Sequence, residues 1–82
     1  MVTKLTIDSV VLSTYSKVLV VTPTRLSLSA DFISLGGNSL KAAEIAAALK
    51  KTYPALAITP ENVLRCRTAG GLADFIKRQG IA

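Results

Sequence analysis

The fold of this chain is decided by residues 31–41, which read Asp-Phe-Ile-Ser-Leu-Gly-Gly-Asn-Ser-Leu-Lys. The glycine pair, Gly36 and Gly37, lets the backbone turn sharply, including through conformations with positive φ. Asn38 is a good N-cap, because its side-chain oxygen can accept a hydrogen bond from a free N–H group of the first helical turn. Strong helix formers follow, so the stretch predicts a loop that ends where a helix begins at Ser39.

Ser39 would be the first residue of that helix, where side chains tend to face solvent. A helix N-terminus carries a partial positive charge and unpaired N–H donors, which favour an anionic group such as a phosphate. Two interpretations follow from these residues alone. The stretch is either an ordinary loop and helix cap, or a hydroxyl placed to carry a phosphate ester.

Length and composition indicate one small domain. The chain has 82 residues, of which 50% are hydrophobic, and this excludes disorder of the whole chain. No apolar run reaches the roughly 18 residues that span a bilayer, and the N-terminus lacks the apolar segment of a signal peptide. We therefore expect residues 1–82 to form a single cytoplasmic domain, monomeric and without a membrane partner, whose core lies within about residues 6–79.

The missing residue types exclude most catalytic chemistry. The chain has no histidine, which removes Ser–His and Cys–His catalysis and most zinc sites. Cys66 is the only cysteine, so no internal disulfide forms, and we interpret it as a small core or surface residue and not as a nucleophile. No glycine-rich phosphate-binding motif is present. We expect no enzyme, no catalytic residue and no metal site, and Ser39 could serve only as an acceptor for another enzyme.

The net charge of +5 raises nucleic acid or an anionic surface as a partner. The basic residues are scattered, however, and no run of them exceeds two. No aromatic residue interleaves with a basic stripe, as base stacking would require. A solvated surface explains the charge better, and a small basic helical nucleic-acid-binding domain remains a remote alternative.

The first half of the chain predicts one helix and a long loop. Apolar spacing predicts a helix from Thr6 to about Val20, although its many β-branched residues leave a strand as a competitor. Pro23 would stop this helix. Residues 22–30 predict a loop, in which we expect Leu26 and Leu28 to pack against the core. Asp31 is then expected to cap a short turn.

The second half predicts three helices. The second helix should span residues 39–52. A short third helix should follow the cap Thr59 and Pro60, and a fourth should follow the cap Thr68 and end at Gly80. The side chains expected to point inward are Phe32, Leu35, Ala42, Ile45, Ala46, Leu49, Val63, Leu64, Leu72, Phe75 and Ile76.

Residues 31–40 resemble the attachment motif of carrier proteins, especially of the thiolation (peptidyl carrier) domains of nonribosomal peptide synthetases. The likeness runs from about Ile7 to Arg78. In that family the serine of the Gly-Gly-x-Ser-Leu run receives 4′-phosphopantetheine from coenzyme A, so the resemblance implies Ser39 as the cofactor attachment residue. It also implies an all-α fold, a four-helix bundle of the acyl/peptidyl carrier type with a long first loop and a short third helix.

The resemblance implies a non-catalytic domain that tethers an aminoacyl or peptidyl intermediate as a thioester and carries it between active sites. The implied partners are a phosphopantetheinyl transferase and the adenylation, condensation and release domains of a parent synthetase, of which this chain would be a piece. Exposed residues of the second helix, together with the short third helix, would contact these partners, although small alanines also reflect helix propensity or a wide buried face. The residues in those positions are Leu40, Ala43, Glu44, Ala47, Val63 and Leu64.

This sequence differs from a related class of carriers, and the differences indicate which type of carrier it resembles. Carriers of type II fatty-acid synthesis usually have an aspartate before the serine and acidic residues on the second helix. This chain has Asn38 before the serine, and Lys41, Lys50 and Lys51 on the helix. The peptide-synthetase type is therefore favoured, and an acyl carrier of a polyketide synthase, or of a reductase with an adenylation domain, is the alternative.

Overall fold

A computed structural model describes residues 6–22 and 26–80 of the chain. These two ranges contain helices and connecting loops, with no β-strand among them. The prediction of an all-α fold with a long first loop and a short third helix is confirmed. The helices are α1 (Ile7–Leu19), α2 (Ser39–Thr52), α3 (Pro60–Cys66) and α4 (Ala69–Arg78).

α1 is helical despite its β-branched residues. It is capped by Thr6, whose hydroxyl oxygen accepts a hydrogen bond from the amide of Ser9 at 3.1 Å. The helix ends at Leu19, because Val20 adopts a left-handed conformation with φ of 55° and its N–H bonds to the carbonyl of Ser16. The end therefore comes slightly before the predicted one, and Pro23, the expected stop signal, lies outside the described residues.

The caps predicted for the later helices are confirmed. Thr59 accepts from the amide of Asn62 at 3.2 Å, and the Asn62 side chain accepts in return from the amide of Thr59 at 2.9 Å. Thr68 accepts from the amide of Gly71 at 3.0 Å. α4 ends just before Gly80, whose φ is 67°. Each of these helix starts is thus fixed by a local side chain.

The core lies where α1 packs on α2 and α4, and α3 packs on the same two helices. The rings of Tyr15 and Phe32 meet there, with centroids 5.9 Å apart. Leu35, Leu64 and Phe75 reach this core but are only partly buried. The buried residues are Val11, Tyr15, Phe32, Ala42, Ile45, Ala46, Leu49, Leu56, Ile58, Val63, Ala69, Leu72, Ala73 and Ile76.

The prediction that Leu28 packs against the core is wrong, whereas Leu26 does contact it. The Leu28 side chain is 40% exposed. Its carbonyl oxygen instead accepts a hydrogen bond from the amide of Gly70 at 2.7 Å. The backbone of this residue, and not its side chain, therefore holds the loop against α4.

The beginning of α1 and the end of α4 lie side by side. Lys77 donates to the carboxylate of Asp8 at 2.9 Å, and this hydrogen bond raises the pKa of Lys77. Thr52, the last residue of α2, lines one cavity together with α1 residues that run from Ser9 to Lys17. The C-terminal end of α2 therefore lies beside α1. Among the described residues, no helix has the length and apolar character needed to cross a membrane.

Candidate functional site

The start of α2 is set by Asn38. Its side-chain oxygen accepts from the amide of Lys41 at 2.9 Å, and its carbonyl oxygen accepts from the amide of Ala42 at 2.8 Å. Ser39 follows as the first residue of the helix and is exposed. The predicted cap, helix start and exposure of Ser39 are confirmed, so the Ser39 hydroxyl lies in solvent at the N-terminal end of a 14-residue helix.

The two glycines before this helix are needed for different reasons. Gly36 has a φ of 95°, a conformation that residues with a Cβ rarely adopt. Gly37 lies against the ring of Phe32, where an added Cβ would stand 2.5 Å from two ring carbons. The Gly37 amide also donates to the carbonyl of Phe32 at 2.9 Å. The loop can therefore pass closely over a buried aromatic ring just before it enters α2.

The electrostatics around Ser39 favour an anion. The first turn of α2 contains no acidic residue, so no carboxylate there offsets the positive end of the helix dipole. Lys41 lies two residues after Ser39 and adds a positive charge. A phosphate ester on Ser39 would be stabilised by this arrangement, since anions near a helix N-terminus gain about 0.3–1 kcal/mol.

Asp31 organises the loop that leads to this site. Its carboxylate accepts from the amide of Ile33 at 3.1 Å, the hydroxyl of Ser34 at 3.3 Å and the guanidinium of Arg67 at 3.2 Å. Desolvation acts to raise the pKa of Asp31, but the hydrogen bonds from Ile33 and Arg67 outweigh it and lower that pKa. The predicted turn at Asp31 is confirmed, and the contact with Arg67 is one that the sequence did not indicate.

The backbone of this loop is bonded to the connection between α3 and α4. The amide of Phe32 donates to the carbonyl of Arg67, at 2.6 Å, and the amide of Ala69 donates to the carbonyl of Ala30 at 3.2 Å. Asp31 and Thr68 form an antiparallel bridge between these two hydrogen bonds. The loop before Ser39 is thus joined by backbone hydrogen bonds to residues more than 30 positions later in the chain.

The residues predicted to contact partners differ in exposure. Leu40 is 66% exposed, Glu44 and Ala47 are exposed, and Ala43 is partly buried. The opposite stripe of α2, from Ala42 to Leu49, faces the core as predicted. The predicted strip on α2 is therefore a surface, and its role in docking stays a prediction.

The two α3 residues predicted to contact partners differ in burial. Leu64 is partly buried, and Val63 is fully buried, with 0% exposure. The prediction that the Val63 side chain belongs to a docking surface is therefore corrected, because a side chain without exposed area cannot contact a partner. Ile33, which the sequence did not single out, is 51% exposed in the loop before Gly36. The sequence could have indicated Ile33, because it is an apolar residue next to Phe32, whose side chain faces inward.

The remaining reactive groups are poor candidates for a site. Cys66 is partly buried, and this desolvation raises the pKa of its thiol, which disfavours the reactive thiolate. The hydroxyl of Tyr15 is buried and has no hydrogen-bond partner among the described residues. Over the same part of the chain, no cluster of three or more potential metal ligands is present. Ser39 remains the group best placed for chemistry.

A helical bundle that presents an exposed serine at the capped start of its second helix has the form expected of a carrier protein. A family model described as "Phosphopantetheine attachment site" matches residues 9–76 of the chain. The chain therefore belongs to this family of phosphopantetheine-bearing carrier domains. No curated protein and no solved structure gives a significant match.

Domains of this family bear covalently attached 4′-phosphopantetheine and are generally non-catalytic. They are modified by a phosphopantetheinyl transferase and interact with synthetase partners. The residues at the start of α2 fit such a group, because Ser39 offers an exposed hydroxyl and the first turn of the helix holds no carboxylate that would repel a phosphodiester.

Proposed function

We propose that Ser39 is the attachment residue for 4′-phosphopantetheine and that the chain is a thiolation (peptidyl carrier) domain of a nonribosomal peptide synthetase. The observation that carries this proposal is the exposed Ser39 hydroxyl at the capped N-terminus of α2, inside the range matched by the family. In the modification, the Ser39 oxygen loses its proton and bonds to the pantetheine-linked phosphorus of coenzyme A. The bond from that phosphorus to the nucleotide oxygen breaks, and adenosine 3′,5′-bisphosphate leaves.

The residues of the chain would support this role in three ways. Asn38 holds the first turn of α2 in place, so that the position of Ser39 is defined. The positive end of the helix dipole stabilises the charge of the phosphodiester. The exposure of Ser39 gives enzymes access to it. The attached group supplies a thiol for the carried acyl chain, and the flexible tether keeps that chain at high effective concentration near several active sites.

The peptide-synthetase assignment is supported by Asn38 and Lys41, which stand where fatty-acid carriers usually have acidic residues. An acyl carrier of a polyketide synthase, or of a reductase with an adenylation domain, remains the second candidate. It predicts the same modification and a different cargo. The phosphopantetheine-bearing domain can be offered an amino-acid adenylation domain with ATP, and separately a malonyl transferase with malonyl coenzyme A. Loading in the first reaction alone would support the proposal, and loading in the second alone would support the alternative.

The attachment residue is tested by intact-mass measurement. The full chain is incubated with a broad-specificity phosphopantetheinyl transferase, magnesium and coenzyme A. We expect a mass increase of one phosphopantetheine that is lost in Ser39→Ala and retained in Ser34→Ala, a nearby exposed serine. An unmodified wild-type chain, or a mass increase that survives Ser39→Ala, would defeat the proposal.

We propose that partners dock on the α2 strip of Leu40, Ala43, Glu44 and Ala47, together with Leu64 on α3. Ala47→Glu places a charge on this strip at an exposed position, so helicity should be retained while loading by an adenylation partner slows. Ala55→Glu makes the same change at an exposed position in the α2–α3 connection and serves as the control. Equal loading rates for the two variants would count against the strip.

A further inference from the structure

The connection between α3 and α4 contains a strained residue. Arg67 has φ of 61° and ψ of −44°, and the amide of Thr68 donates to the carbonyl of Cys66 at 2.6 Å. These features define a γ-turn centred on Arg67, of the rare and strained kind with positive φ. A non-glycine residue in such a conformation persists only when surrounding contacts hold it there.

Two of the contacts that hold Arg67 come from the loop before α2. Its guanidinium pairs with Asp31 at 3.2 Å, with side chains 67% and 30% exposed, and its carbonyl oxygen accepts from the amide of Phe32. Arg67 therefore bonds two consecutive loop residues, one through its side chain and one through its backbone. The strain of the turn and the conformation of the loop are coupled by these bonds.

The same loop residues lead directly to Ser39. Phe32 is fully buried, its ring underlies Gly37, and its carbonyl oxygen accepts from the amide of Gly37. Gly37 adjoins Asn38, the cap that starts α2. A continuous series of contacts therefore runs from Arg67 through Phe32 and Gly37 to the residue before Ser39.

We propose that Arg67 is a positioning residue, which acts through Asp31 and Phe32 to hold the loop in the conformation that presents Ser39 to the modifying transferase. This inference rests on the proposed function of Ser39. Arg67 itself does not take part in the transfer of the phosphopantetheinyl group. If Arg67 only stabilised the fold, its replacement would leave the kinetics of modification unchanged wherever the domain stays folded.

The kinetic test compares Arg67→Ala with Arg65→Ala, at a temperature where circular dichroism shows every variant folded. Arg65 is a matched control, because its exposed pair with Glu61 lies within α3 and does not reach the loop. We expect Arg67→Ala to raise the KM for the unmodified domain measurably but by no more than roughly fivefold, the limit set by loss of an exposed ion pair, because fewer molecules present Ser39 correctly. The value of kcat and the kinetics of Arg65→Ala should change little, and Arg67→Lys should restore part of the loss.

Three further variants separate positioning from stability and from direct contact. Glycine tolerates the backbone conformation at position 67, so Arg67→Gly should be at least as stable as Arg67→Ala. It should still raise KM, because it too lacks the guanidinium that pairs with Asp31. Asp31→Asn should reproduce the rise in KM, and the double variant Asp31→Asn with Arg67→Ala should add little to either single change. A wild-type KM for Asp31→Asn together with a raised KM for Arg67→Ala would overturn the proposal and indicate that the transferase contacts Arg67 directly.

An independent readout needs no transferase. Amide hydrogen exchange at Gly37 and Lys41, whose N–H groups bond to Phe32 and Asn38, should quicken in Arg67→Ala and in Asp31→Asn but not in Arg65→Ala. Unchanged exchange at these two amides would overturn the inference, whether or not Ser39 is modified. A wild-type chain that no transferase modifies would defeat the proposed function alone, and hydrogen exchange would still decide the role of Arg67.

Discussion

Replacing Gly37 with alanine should destabilise the domain by steric conflict with Phe32. The added Cβ would stand 2.5 Å from Cε2 and Cζ of the ring and 2.6 Å from Cδ2. Carbon atoms pack at about 3.5–4.0 Å, so the ring or the loop must move by about 1 Å. Phe32 has no exposed surface and packs against Tyr15, so the ring has no free space to enter. We expect a loss of about 1–3 kcal/mol in the free energy of unfolding, the usual cost of overpacking.

Urea denaturation followed by circular dichroism measures this loss, and a double-mutant cycle identifies its cause. Phe32→Leu lacks the ring carbons that the added Cβ at position 37 would meet, and it should itself be destabilising because it shrinks a fully buried side chain. In the double variant, Phe32→Leu should reduce the loss of unfolding free energy caused by Gly37→Ala by roughly 1 kcal/mol or more. Gly36→Ala is the control, because nothing lies within 4 Å of its added Cβ and its cost arises from a φ of 95° alone.

Two results would refute the reasoning. Gly37→Ala with the stability of the wild type would mean that the loop moves away from the ring at no cost. Additive losses in the double variant, within about 0.5 kcal/mol, would mean that the cost does not come from the Phe32 ring. If Phe32→Leu also reduced the loss of stability caused by Gly36→Ala, the cycle would not report specifically on the contact between position 37 and the Phe32 ring.

Two other changes test the interior and the cap. Tyr15→Phe removes a buried hydroxyl that has no partner in the described ranges, so stability should be unchanged or rise by about 1 kcal/mol. Burial raises the pKa of Tyr15, so the unfolded chain loses the hydroxyl proton at lower pH than the folded chain. In thermal melts above about pH 10 the wild type should therefore lose more stability than Tyr15→Phe, with Tyr53→Phe as the control. Identical losses of stability at alkaline pH in the wild type and Tyr15→Phe would contradict the effect. Asn38→Ala should cost about 1 kcal/mol in urea denaturation because the amide of Lys41 loses its acceptor, whereas Asn38→Ser should cost much less, and equal losses would argue against the cap.

The helices could be predicted from the sequence because their signals are local. Asn38, Thr59 and Thr68 cap helices through residues three positions away, and the spacing of apolar residues identifies the buried stripe of α2. The end of α1 was less predictable, because the left-handed conformation of Val20 has no signature in a run of β-branched residues. Local information thus defined the helices and the exposed serine, but not every boundary.

The features that sequence reasoning missed depend on distant contacts. The conformation of Arg67 is held by Asp31 and Phe32, 36 and 35 positions earlier, so no local pattern at Arg67 could indicate it. Leu28 was expected in the core from its apolar character, but the bond from its carbonyl to Gly70 fixes the backbone and leaves the side chain outside. Which of Val63 and Leu64 faces the core depends on how a seven-residue helix docks on its neighbours.

The ion pair between Asp8 and Lys77 has a geometric consequence. It holds the first turn of α1 against the last turn of α4, so the chain enters and leaves the bundle side by side. Segments joined before α1 and after α4 would therefore attach to the bundle at one place on its surface instead of at two opposite ends.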